Sequence, residues 1–432
     1  MVGFVLALAV LIALMWRWHR IYVDHEARIQ QMHVRIHVNG IRGKSTVTRL
    51  LAGILREAGY QTLAKTTGSA AMVIHEDGNE SPIQRGGAPT IMEQIDIVRQ
   101  YATPDTNALV IECMAVNPVY QRVTQDQIVK GNITIITNVR EDHQDVMGET
   151  LAEITDSLSN TIPHGGTLIT AEEREPLRQK LARNTEARGS TFIYADPAWV
   201  SDDDLKGFDY LTFKENLAVG LAVAHVLNIP REVAIRGMRK ALPDIGVVFV
   251  QKVSMEGKEI VWAPLFAVND RESTIIGLDA LRPYYQEDAV RIGILNNRYD
   301  RAVRAEKFAE IAALDLKLDY YATFGAYEEQ VTERMVGFGY PRERILNLGF
   351  SKNPTLEEIL DQVLDLIEGE QGLLVGLVNI HTPQAELLMD FFHHQEEVCE
   401  ASELVADLGH VPETVQRRRY MISHLLKQRT SE

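Results

Sequence analysis

The sequence predicts an α/β protein with two parallel-sheet domains, preceded by one apolar N-terminal helix. Three observations predict it: two series of alternating apolar strands and helical patterns, a glycine-rich loop near residue 40, and an uncharged run up to Trp16. Regular β-α alternation is typical of parallel sheets with helices on both faces. The 432 residues suffice for two or three domains.

The charge of the chain disfavours one class of partner. With 44 basic and 60 acidic residues, the formal net charge is -16. Nucleic-acid binding needs a basic footprint, so we expect no nucleic-acid partner. The two cysteines, Cys113 and Cys399, lie far apart, which implies no disulfide framework and fits a reducing compartment.

The N-terminal segment, residues 1–32, is interpreted as a membrane anchor and a juxtamembrane helix. As a helix, Val2–Trp18 spans about 26 Å, slightly less than the ~30 Å hydrocarbon core of a bilayer. Arg17 and Arg20 follow the apolar run, whereas a secretory signal has its positive charge before it. The positive-inside rule then predicts a single-pass protein of the cell membrane with cytoplasmic soluble domains. The alternative is a buried or signal-peptide segment.

The first soluble domain, residues 33–245, begins with a strand and continues in β-α alternation. A break at Pro243–Gly246 ends it. Its predicted strands are Val34–Val38, Thr62–Thr66, Ala108–Met114, Ile133–Val139, Thr167–Thr170 and Thr191–Tyr194, and its predicted helices include Thr46–Ala58, Leu151–Thr161, Asn216–Leu227 and Arg231–Leu242.

The second domain, residues 246–395, is a smaller Rossmann-like α/β unit. Its predicted elements are the strands Glu259–Phe266, Arg291–Asn296, Tyr320–Phe324, Ile345–Leu348 and Leu373–Val378 and the amphipathic helix Leu356–Ile367. Residues 396–432 are charged and predict a helical tail.

The glycine-rich loop Gly40–Ser45 has the composition of a phosphate-binding loop between a strand and a helix. Gly40 and Gly43 allow the backbone N–H groups to turn inward. Lys44 can reach the β- and γ-phosphates, and the Ser45 hydroxyl can hold Mg²⁺. The glycine spacing is two residues shorter than in the commoner Gly-x4-Gly-Lys pattern. The loop therefore predicts ATP and Mg²⁺ as cofactors.

Four segments carry a closer resemblance: Asn39–Thr46, Lys65–Gly68, Glu112–Pro118 and Glu141–Gly148. With the short loop, they resemble the CapB/PgsB family, the ligase subunit of the poly-γ-glutamate capsule synthase in the Mur ligase-like superfamily. The resemblance runs from the N-terminal helix to about residue 395. It implies a Mur ligase-like central domain with a parallel sheet, followed by the second α/β domain.

Several residues of the first domain are candidates for a catalytic centre. Glu112 follows an apolar strand, at the edge where open α/β sheets bind ligands, and it could hold Mg²⁺ opposite Ser45. The resemblance implies that Asn138 approaches the γ-phosphate and that His143 approaches a second metal. The predicted catalytic residues are Lys44, Glu112, His143 and Arg298, and the predicted metal ligands are Ser45, Glu112 and His143.

The resemblance also implies further contacts with the nucleotide and the substrate. Asn216 would contact adenine and Asp270 the ribose. The predicted cofactor-binding set is Asn39, Gly40, Arg42, Gly43, Lys44, Ser45, Thr46, Asn138, Asn216 and Asp270. The predicted substrate-binding set is Thr67, Arg85, Arg271 and Arg301. For Asp270, Arg298 and Arg301 the alternative is a solvated ion pair.

Three departures from the Mur ligase pattern bear on the expectation. No lysine lies between Asp145 and Lys180, where Mur ligases usually carry a carbamylated lysine. Gly246 is followed by Val247 rather than by the arginine often found there. The N-terminal helix takes the place of the UDP-sugar domain, so we expect an acceptor other than a nucleotide-linked peptidoglycan precursor.

The resemblance implies ATP-dependent amide ligation through an acyl phosphate, with glutamate joined through its γ-carboxyl into poly-γ-glutamate. It implies a CapC-like integral membrane subunit and a CapA-like subunit as partners; homo-oligomerisation is left open. The alternatives are a membrane-tethered folylpolyglutamate-type ligase and a non-catalytic ATP-binding scaffold subunit. An acidic protein that handles a polyanion predicts a local basic path, for which Arg42, Arg85, Arg140 and Arg298 are candidates.

Overall fold

The computed structural model describes residues 2–67, 71–85, 87–205, 208, 210, 212–243, 250–268, 270–349, 354–379 and 382–394. The chain divides into two units, Met1–Val247 and Val248–Glu432. The predicted tail 396–432, the break at residues 244–246 and Gly68 lie outside the described residues.

The N-terminal helix α1 (Val2–Gln31) runs without a break through the segment predicted as an anchor and a juxtamembrane helix. Its residues 3–20 are exposed, whereas His25 and Ile29 near its end are buried against the first unit. Within the described residues, α1 is the one helix long and apolar enough to cross a membrane, on length and composition alone.

The first unit contains one eight-stranded sheet in the order β4-β3-β2-β5-β1-β6-β7-β8. The six strands from β2 to β8 in that order are parallel, and β3 and β4 form an antiparallel addition at the edge that the sequence patterns did not predict. The strands are β1 (Val34–Asn39), β2 (Thr62–Lys65), β3 (Met72–Ile74), β4 (Glu80–Pro82), β5 (Ala108–Glu112), β6 (Ile133–Ile136), β7 (Thr167–Thr170) and β8 (Thr191–Tyr194).

Helices cover both faces of this sheet. They are α2 (Lys44–Glu57), α3 (Glu93–Tyr101), α4 (Pro118–Val123), α5 (Gln144–Met147), α6 (Leu151–Leu158), α7 (Glu175–Glu186), α8 (Asp202–Leu205), α9 (Lys214–Val226) and α10 (Arg231–Lys240), with a π-helical turn at Thr124–Val129. Because they are covered on both faces, the central strands β2, β5 and β6 are buried at every residue.

The helix that follows the glycine loop, α2, packs closely against α10. A Cβ on Gly53 would lie 2.3 Å from the Gly237 carbonyl oxygen, and a Cβ on Gly237 would lie 2.6 Å from the Gly53 carbonyl oxygen. The two backbones therefore touch at a point where only glycine fits. Leu50, Ile54 and Met238 belong to the same buried cluster, so the loop is carried by a fixed helix.

The second unit is a six-stranded sheet in the order β13-β12-β11-β14-β10-β9. It is parallel except for β9, which pairs antiparallel with β10 and was not predicted. The elements are β9 (Gln251–Met255), β10 (Lys258–Pro264), α11 (Arg271–Asp279), β11 (Val290–Asn297), α12 (Ala302–Ile311), β12 (Tyr320–Gly325), α13 (Glu328–Gly337), β13 (Ile345–Asn347), α14 (Leu356–Asp365) and β14 (Gln371–Leu377). Its core includes Trp262, which stacks on Phe392 at 4.7 Å between ring centroids.

Candidate active site

The glycine loop joins the end of β1 to the start of α2 and turns through two left-handed glycine conformations. Gly40 has a φ of 121° and Gly43 a φ of 78°, both in the left-handed range that favours glycine. A Cβ on Gly40 would lie 2.1 Å from Thr137 Oγ1, so a side chain there is sterically excluded. The loop is thus pressed against the residues that follow the neighbouring strand β6.

Thr137 and Asn138, which follow β6, hold the loop backbone by hydrogen bonds. The Arg42 N–H donates to Asn138 Oδ1 at 3.0 Å, and Asn138 Nδ2 donates back to the Arg42 carbonyl at 3.1 Å. The Thr137 hydroxyl donates to the same carbonyl at 2.6 Å. In this structure the amide of Asn138, expected near the γ-phosphate, holds the loop backbone.

Lys44 folds back over the loop. Its Nζ donates to the carbonyls of Gly40 at 2.8 Å and Ile41 at 3.1 Å. Burial lowers the pKa of Lys44, and the neighbouring Glu112 carboxylate opposes that shift. The ammonium is held by carbonyls that phosphate oxygens can replace as stronger, charged acceptors.

Ser45 and Glu112 come together at the first turn of α2. The Ser45 hydroxyl donates to Glu112 Oε2 at 2.8 Å, and the Thr67 N–H donates to the same oxygen at 2.7 Å. Both side chains are buried, with Glu112 only 2% exposed. A hydroxyl and a carboxylate are oxygen ligands of the kind that Mg²⁺ accepts, together with phosphate oxygens and waters. The pair therefore fits a nucleotide-bound Mg²⁺.

His143 stands apart from that pair. It has a left-handed φ of 48°, and its side chain is 53% exposed. Its backbone N–H donates to Asp142 Oδ1 at 2.9 Å. Arg42 Nη2 lies 3.5 Å from Asp142 Oδ2. In the described part of the chain, no three His, Cys, Asp or Glu side chains are grouped to hold a metal. The structure thus does not assemble His143 with Glu112, and its metal role stays a prediction.

Three further predicted cofactor residues surround the loop. Asn216, in the first turn of α9, has its Oδ1 3.1 Å from the position of a Cβ on Gly43, so it lies beside the loop. Asn39 is buried beneath it and accepts from the Gly40 N–H at 2.8 Å. Thr46 is half-buried in the first turn of α2.

A buried ion-pair triad adjoins this site, and we call Lys65, Glu93 and Arg85 the β2–α3 triad. Lys65 is fully buried, with its Nζ 2.9 Å from Glu93 Oε1. Arg85 donates to both oxygens of Glu93, at 2.6 and 3.0 Å. The predicted substrate residue Arg85 is therefore engaged within the protein.

The charges of the triad depend on one another. Burial lowers the pKa of Lys65, against the attraction of Glu93. Burial raises the pKa of Glu93, but hydrogen bonds from Arg85 and Lys65 outweigh it, so the net pKa lies below the usual value. The sequence analysis included Lys65 in a segment that carries the resemblance but gave it no role, although it ends a buried strand beside the strand of Glu112.

The predicted residues of the second unit also have partners within that unit. Asp270 caps α11 by accepting from the Ser273 N–H at 2.8 Å. Arg271 lies 2.9 Å from Glu310 and 2.8 Å from Asp315. Arg298 donates to both oxygens of Asp300, and Arg301 lies 3.7 Å from the same carboxylate. The nucleotide role of Asp270, the substrate roles of Arg271 and Arg301 and the catalytic role of Arg298 stay predictions.

Each unit of the chain matches the sequence model of a known protein family. Residues 38–213 match the sequence model of the Mur ligase middle domain, and residues 250–395 match that of the poly-gamma-glutamate synthase CapB C-terminal domain. The chain is 35% identical to the capsule biosynthesis protein CapB of Bacillus anthracis, over 86% of this chain and 79% of that protein. It is also 35% identical to the PGA synthase CapB of Bacillus subtilis (strain 168), over 85% and 92%.

A solved structure shares the fold. The bifunctional folylpolyglutamate synthase/dihydrofolate synthase of Yersinia pestis, in complex with AMPPNP and Mn ion, superposes with a TM-score of 0.58. Its sequence is 14% identical, and the match covers 87% of this chain and 93% of that chain.

The fold and the glycine-loop site define an ATP-dependent amide ligase of the Mur type. The predicted α/β class with a Mur ligase-like central domain is thereby confirmed. Within that class, the chain belongs to the CapB family of poly-γ-glutamate synthases, as the resemblance implied.

Proposed function

We propose that this protein uses ATP bound at the Gly40–Ser45 loop to join glutamate through its γ-carboxyl into poly-γ-glutamate. The observation that carries the proposal is the Ser45–Glu112 pair at 2.8 Å beside Lys44, on the loop of a CapB-family chain. Ser45 and Glu112 would hold Mg²⁺ there, and the ion would supply neutralisation of phosphate charge.

The chemistry proceeds in two steps. A carboxylate oxygen of the glutamyl acceptor attacks the γ-phosphorus, the bond to the β-phosphate oxygen breaks, and ADP leaves. The amine of the next glutamate then attacks the acyl carbon, loses a proton, and displaces phosphate. The protein orients the reactants and stabilises their charge. Lys44 stabilises the charge on the transferred phosphoryl group, and the Gly40–Ser45 loop, held by Thr137 and Asn138, fixes the orientation of that group.

We propose Ser45 and Glu112 as the Mg²⁺ ligands in this reaction. Asn39 and Asn138 are then loop-positioning residues, because their side chains bind loop backbone. Thr67, whose N–H donates to Glu112, ties the segment after β2 to the metal site.

Family membership decides between the alternatives. The folylpolyglutamate-type ligase has support from fold alone, at 14% identity. A non-catalytic scaffold that binds ATP would also need Lys44, Ser45 and Glu112, so it differs from the ligase only in the absence of turnover. The CapB-type ligase is the function that the site supports best.

We further propose that α1 anchors the protein in the cell membrane, with the soluble units in the cytoplasm. The uncharged, exposed first half of α1 and the arginines after it support this topology. CapC-like and CapA-like subunits are the proposed partners, since the product of a capsule synthase must leave the cell.

The test is a reconstitution of the full chain in nanodiscs with its membrane partner, ATP, Mg²⁺ and labelled glutamate. We expect ADP release that depends on glutamate, and labelled polymer that a γ-specific hydrolase degrades. If neither ADP nor polymer forms, with or without added bicarbonate, the ligase proposal fails.

A further inference from the structure

The last part of α1 crosses the first unit in a fixed direction. α1 ends at Gln31, shortly before β1 begins at Val34. The end of α1 therefore lies at the edge of the sheet where the parallel strands begin, which we call the amino edge. Ile29 and Met32 are buried in a cluster with Leu109 of β5, so the end of α1 packs on a face of the sheet. The glycine loop lies at the opposite edge, where the strands end, which we call the carboxyl edge.

Contacts with α3 show that α1 runs from the carboxyl edge towards the amino edge. α3 begins at the carboxyl edge, because Glu93 contacts the last residue of β2. Asp24 Oδ2 of α1 is 3.8 Å from Arg99 Nε of α3. One helical turn later, Arg28 donates to the Ala102 carbonyl at 2.9 Å. Because later residues of α1 meet later residues of α3, the two helices run in the same direction.

Contacts with the chain between β5 and β6 show how far α1 reaches. Asn39 Nδ2, at the carboxyl edge, donates to Gln121 Oε1 of α4 at 3.4 Å. Further along this chain, in the π-helical turn, the Ile128 carbonyl is 2.8 Å from His25 Nε2. The helical segments from Gln121 to Ile128 and from Trp18 to His25 have equal length, about 10 Å at ~1.5 Å per residue. Trp18 therefore lies at the level of the carboxyl edge, and the apolar residues before it extend beyond that edge.

Exposed apolar side chains collect at the same edge. After α1, the described part of the first unit exposes five large apolar side chains: Met92, Val119, Tyr120, Val146 and Trp199. The first four lie at the carboxyl edge, immediately before α3, in the first turn of α4 and in α5. Val119 is 64% exposed and Tyr120 57%. Since α1 contacts α3 and the π-helical turn that continues α4, these side chains lie around the point where α1 leaves the unit.

We propose that α1 holds the first unit with its carboxyl edge against the cytoplasmic surface of the membrane, so that Met92, Val119 and Tyr120 touch the lipid headgroup region. The proposal rests on the proposed anchoring of α1 and not on the ligase reaction. α1 is one continuous helix, apolar up to Trp18 and docked on the unit from His25 onward, so no flexible linker lets the unit turn over. Apolar and aromatic side chains suit a membrane interface.

The charges at this edge favour apolar contact with lipid. Arg42 and Arg85, expected from the sequence to belong to a basic path, pair with Asp142 and Glu93 of the same unit. The whole chain has a formal net charge of -16, which anionic headgroups repel. The orientation is therefore set by α1 and by the apolar side chains. It places the glycine loop on the membrane side of the unit, so a product made there is released beside the bilayer.

The test measures how close single positions lie to lipid. The full chain carries C399S, and Cys113 is buried, so one introduced cysteine takes a fluorescent dye. The protein is reconstituted in phosphatidylcholine nanodiscs, with or without a lipid that bears a quenching nitroxide next to its headgroup. The dye is placed at the carboxyl edge, at the amino edge or within α1, using V119C, M92C, D105C, H164C and L8C.

We expect the nitroxide lipid to quench the dye at V119C and M92C at least about twofold more than at D105C and H164C. Asp105 and His164 are exposed and precede β5 and β7. Strands of this length put them about 13–17 Å farther from the membrane. L8C reports whether α1 is inserted, and Mg-ATP binding shows that each labelled variant is folded.

Equal quenching at the two edges, with strong quenching at L8C, would overturn the proposed orientation and leave the anchor standing. No quenching at L8C would refute the anchor and the orientation together. Because M92C reports on the same edge, a poorly folded V119C does not decide the result. Turnover is not measured, so neither outcome bears on the ligase reaction.

Discussion

At the residue scale, the site depends on single side chains that satisfy buried charges. Lys44 is held by two loop carbonyls, Glu112 accepts from Ser45 and Thr67, and Glu93 neutralises the fully buried Lys65. An unpaired buried charge costs several kcal/mol, so each of these residues has a measurable effect.

Replacing Lys44 by Ala should abolish tight ATP binding. The change removes a charge-assisted contact to phosphate worth about 1.5–3 kcal/mol, which is a factor of roughly 10–150 in Kd. Titration calorimetry with Mg-ATP measures it, with Lys240→Ala as control, since Lys240 is exposed on α10 and pairs with Glu57. Equal nucleotide affinity of K44A and wild type would refute the loop assignment.

Replacing Glu93 by Gln should destabilise the first unit by about 1–3 kcal/mol, because Lys65 is left buried without its carboxylate. The folded-state pKa of Glu93 lies below its ordinary value of 4.5. Its contribution to stability is therefore present above pH 4.5 and is lost as the pH falls through the folded-state pKa.

Thermal unfolding from pH 7 down to about pH 3 measures this effect. The difference in Tm between wild type and E93Q should shrink as the pH is lowered. Arg85→Gln is the matched control: Arg85 is the partly exposed partner, so its loss should cost less. A gap between wild type and E93Q that is constant with pH would show that the Glu93 charge contributes nothing.

At the element scale, the position of α2 is set by its contact with α10. Gly53→Ala would force a Cβ to 2.3 Å from the Gly237 carbonyl, so the helices must separate. We expect a loss of about 1–3 kcal/mol and weaker ATP binding, since α2 carries Lys44 and Ser45. The control is Gly337→Ala at the end of α13, where a Cβ meets nothing within 4 Å and helix propensity favours Ala.

Denaturant unfolding and nucleotide titration of the two variants show whether the close crossing of α2 and α10 is needed for stability, for ATP binding or for both. G53A that is as stable as G337A and binds ATP normally would mean that the close crossing is not needed. G53A that is destabilised but binds ATP normally would mean that α2 keeps its place and the cost is local.

At the scale of the whole molecule, the two halves of α1 differ in their surroundings. Its first half is exposed and apolar, and its second half packs on the first unit through His25, Ile29 and the ion pair between Glu26 and Lys130. His25 Nε2 is 2.8 Å from the Ile128 carbonyl, and Arg28 donates to the Ala102 carbonyl at 2.9 Å. The chain thus has no flexible linker between the apolar segment and the first unit.

Deletion of residues 2–18 should release the protein from membranes and leave the first unit folded. The deleted residues described by the structure are exposed, whereas the docked residues from His25 onward are kept. Fractionation of cells and calorimetry with Mg-ATP measure both outcomes. Deletion of residues 2–32 is the comparison: it removes the buried Ile29 and Met32, each worth about 1.5–3 kcal/mol, and should destabilise the unit. If the protein that lacks residues 2–18 still fractionates with membranes, the proposal that α1 is the anchor is wrong.

The sequence by itself determined the features that depend on local chain geometry. The loop at Gly40–Ser45, the strand β1 before it and the helix α2 after it were predictable, because glycines at a β-α junction and apolar periodicity act over a few residues. Strands β7 and β8 were predicted with the observed bounds. The short antiparallel strands β3, β4 and β9 were missed, since strands this short or at a sheet edge carry little periodic signal.

Tertiary structure decided which charges of the site meet. Lys65 and Glu93 are far apart in the chain, and no periodic pattern predicts their contact at 2.9 Å; the fold brings the end of β2 to the start of α3. By contrast, Arg298 pairs with Asp300 two residues away and Asp270 caps its own helix, and both contacts depend on local chain geometry. Tertiary structure also packed the end of the predicted juxtamembrane helix against the first unit, where Ile29 and Met32 find apolar partners. Local conformation is encoded in neighbouring residues, whereas the partner of a buried charge is chosen by which strand and helix ends the fold brings together.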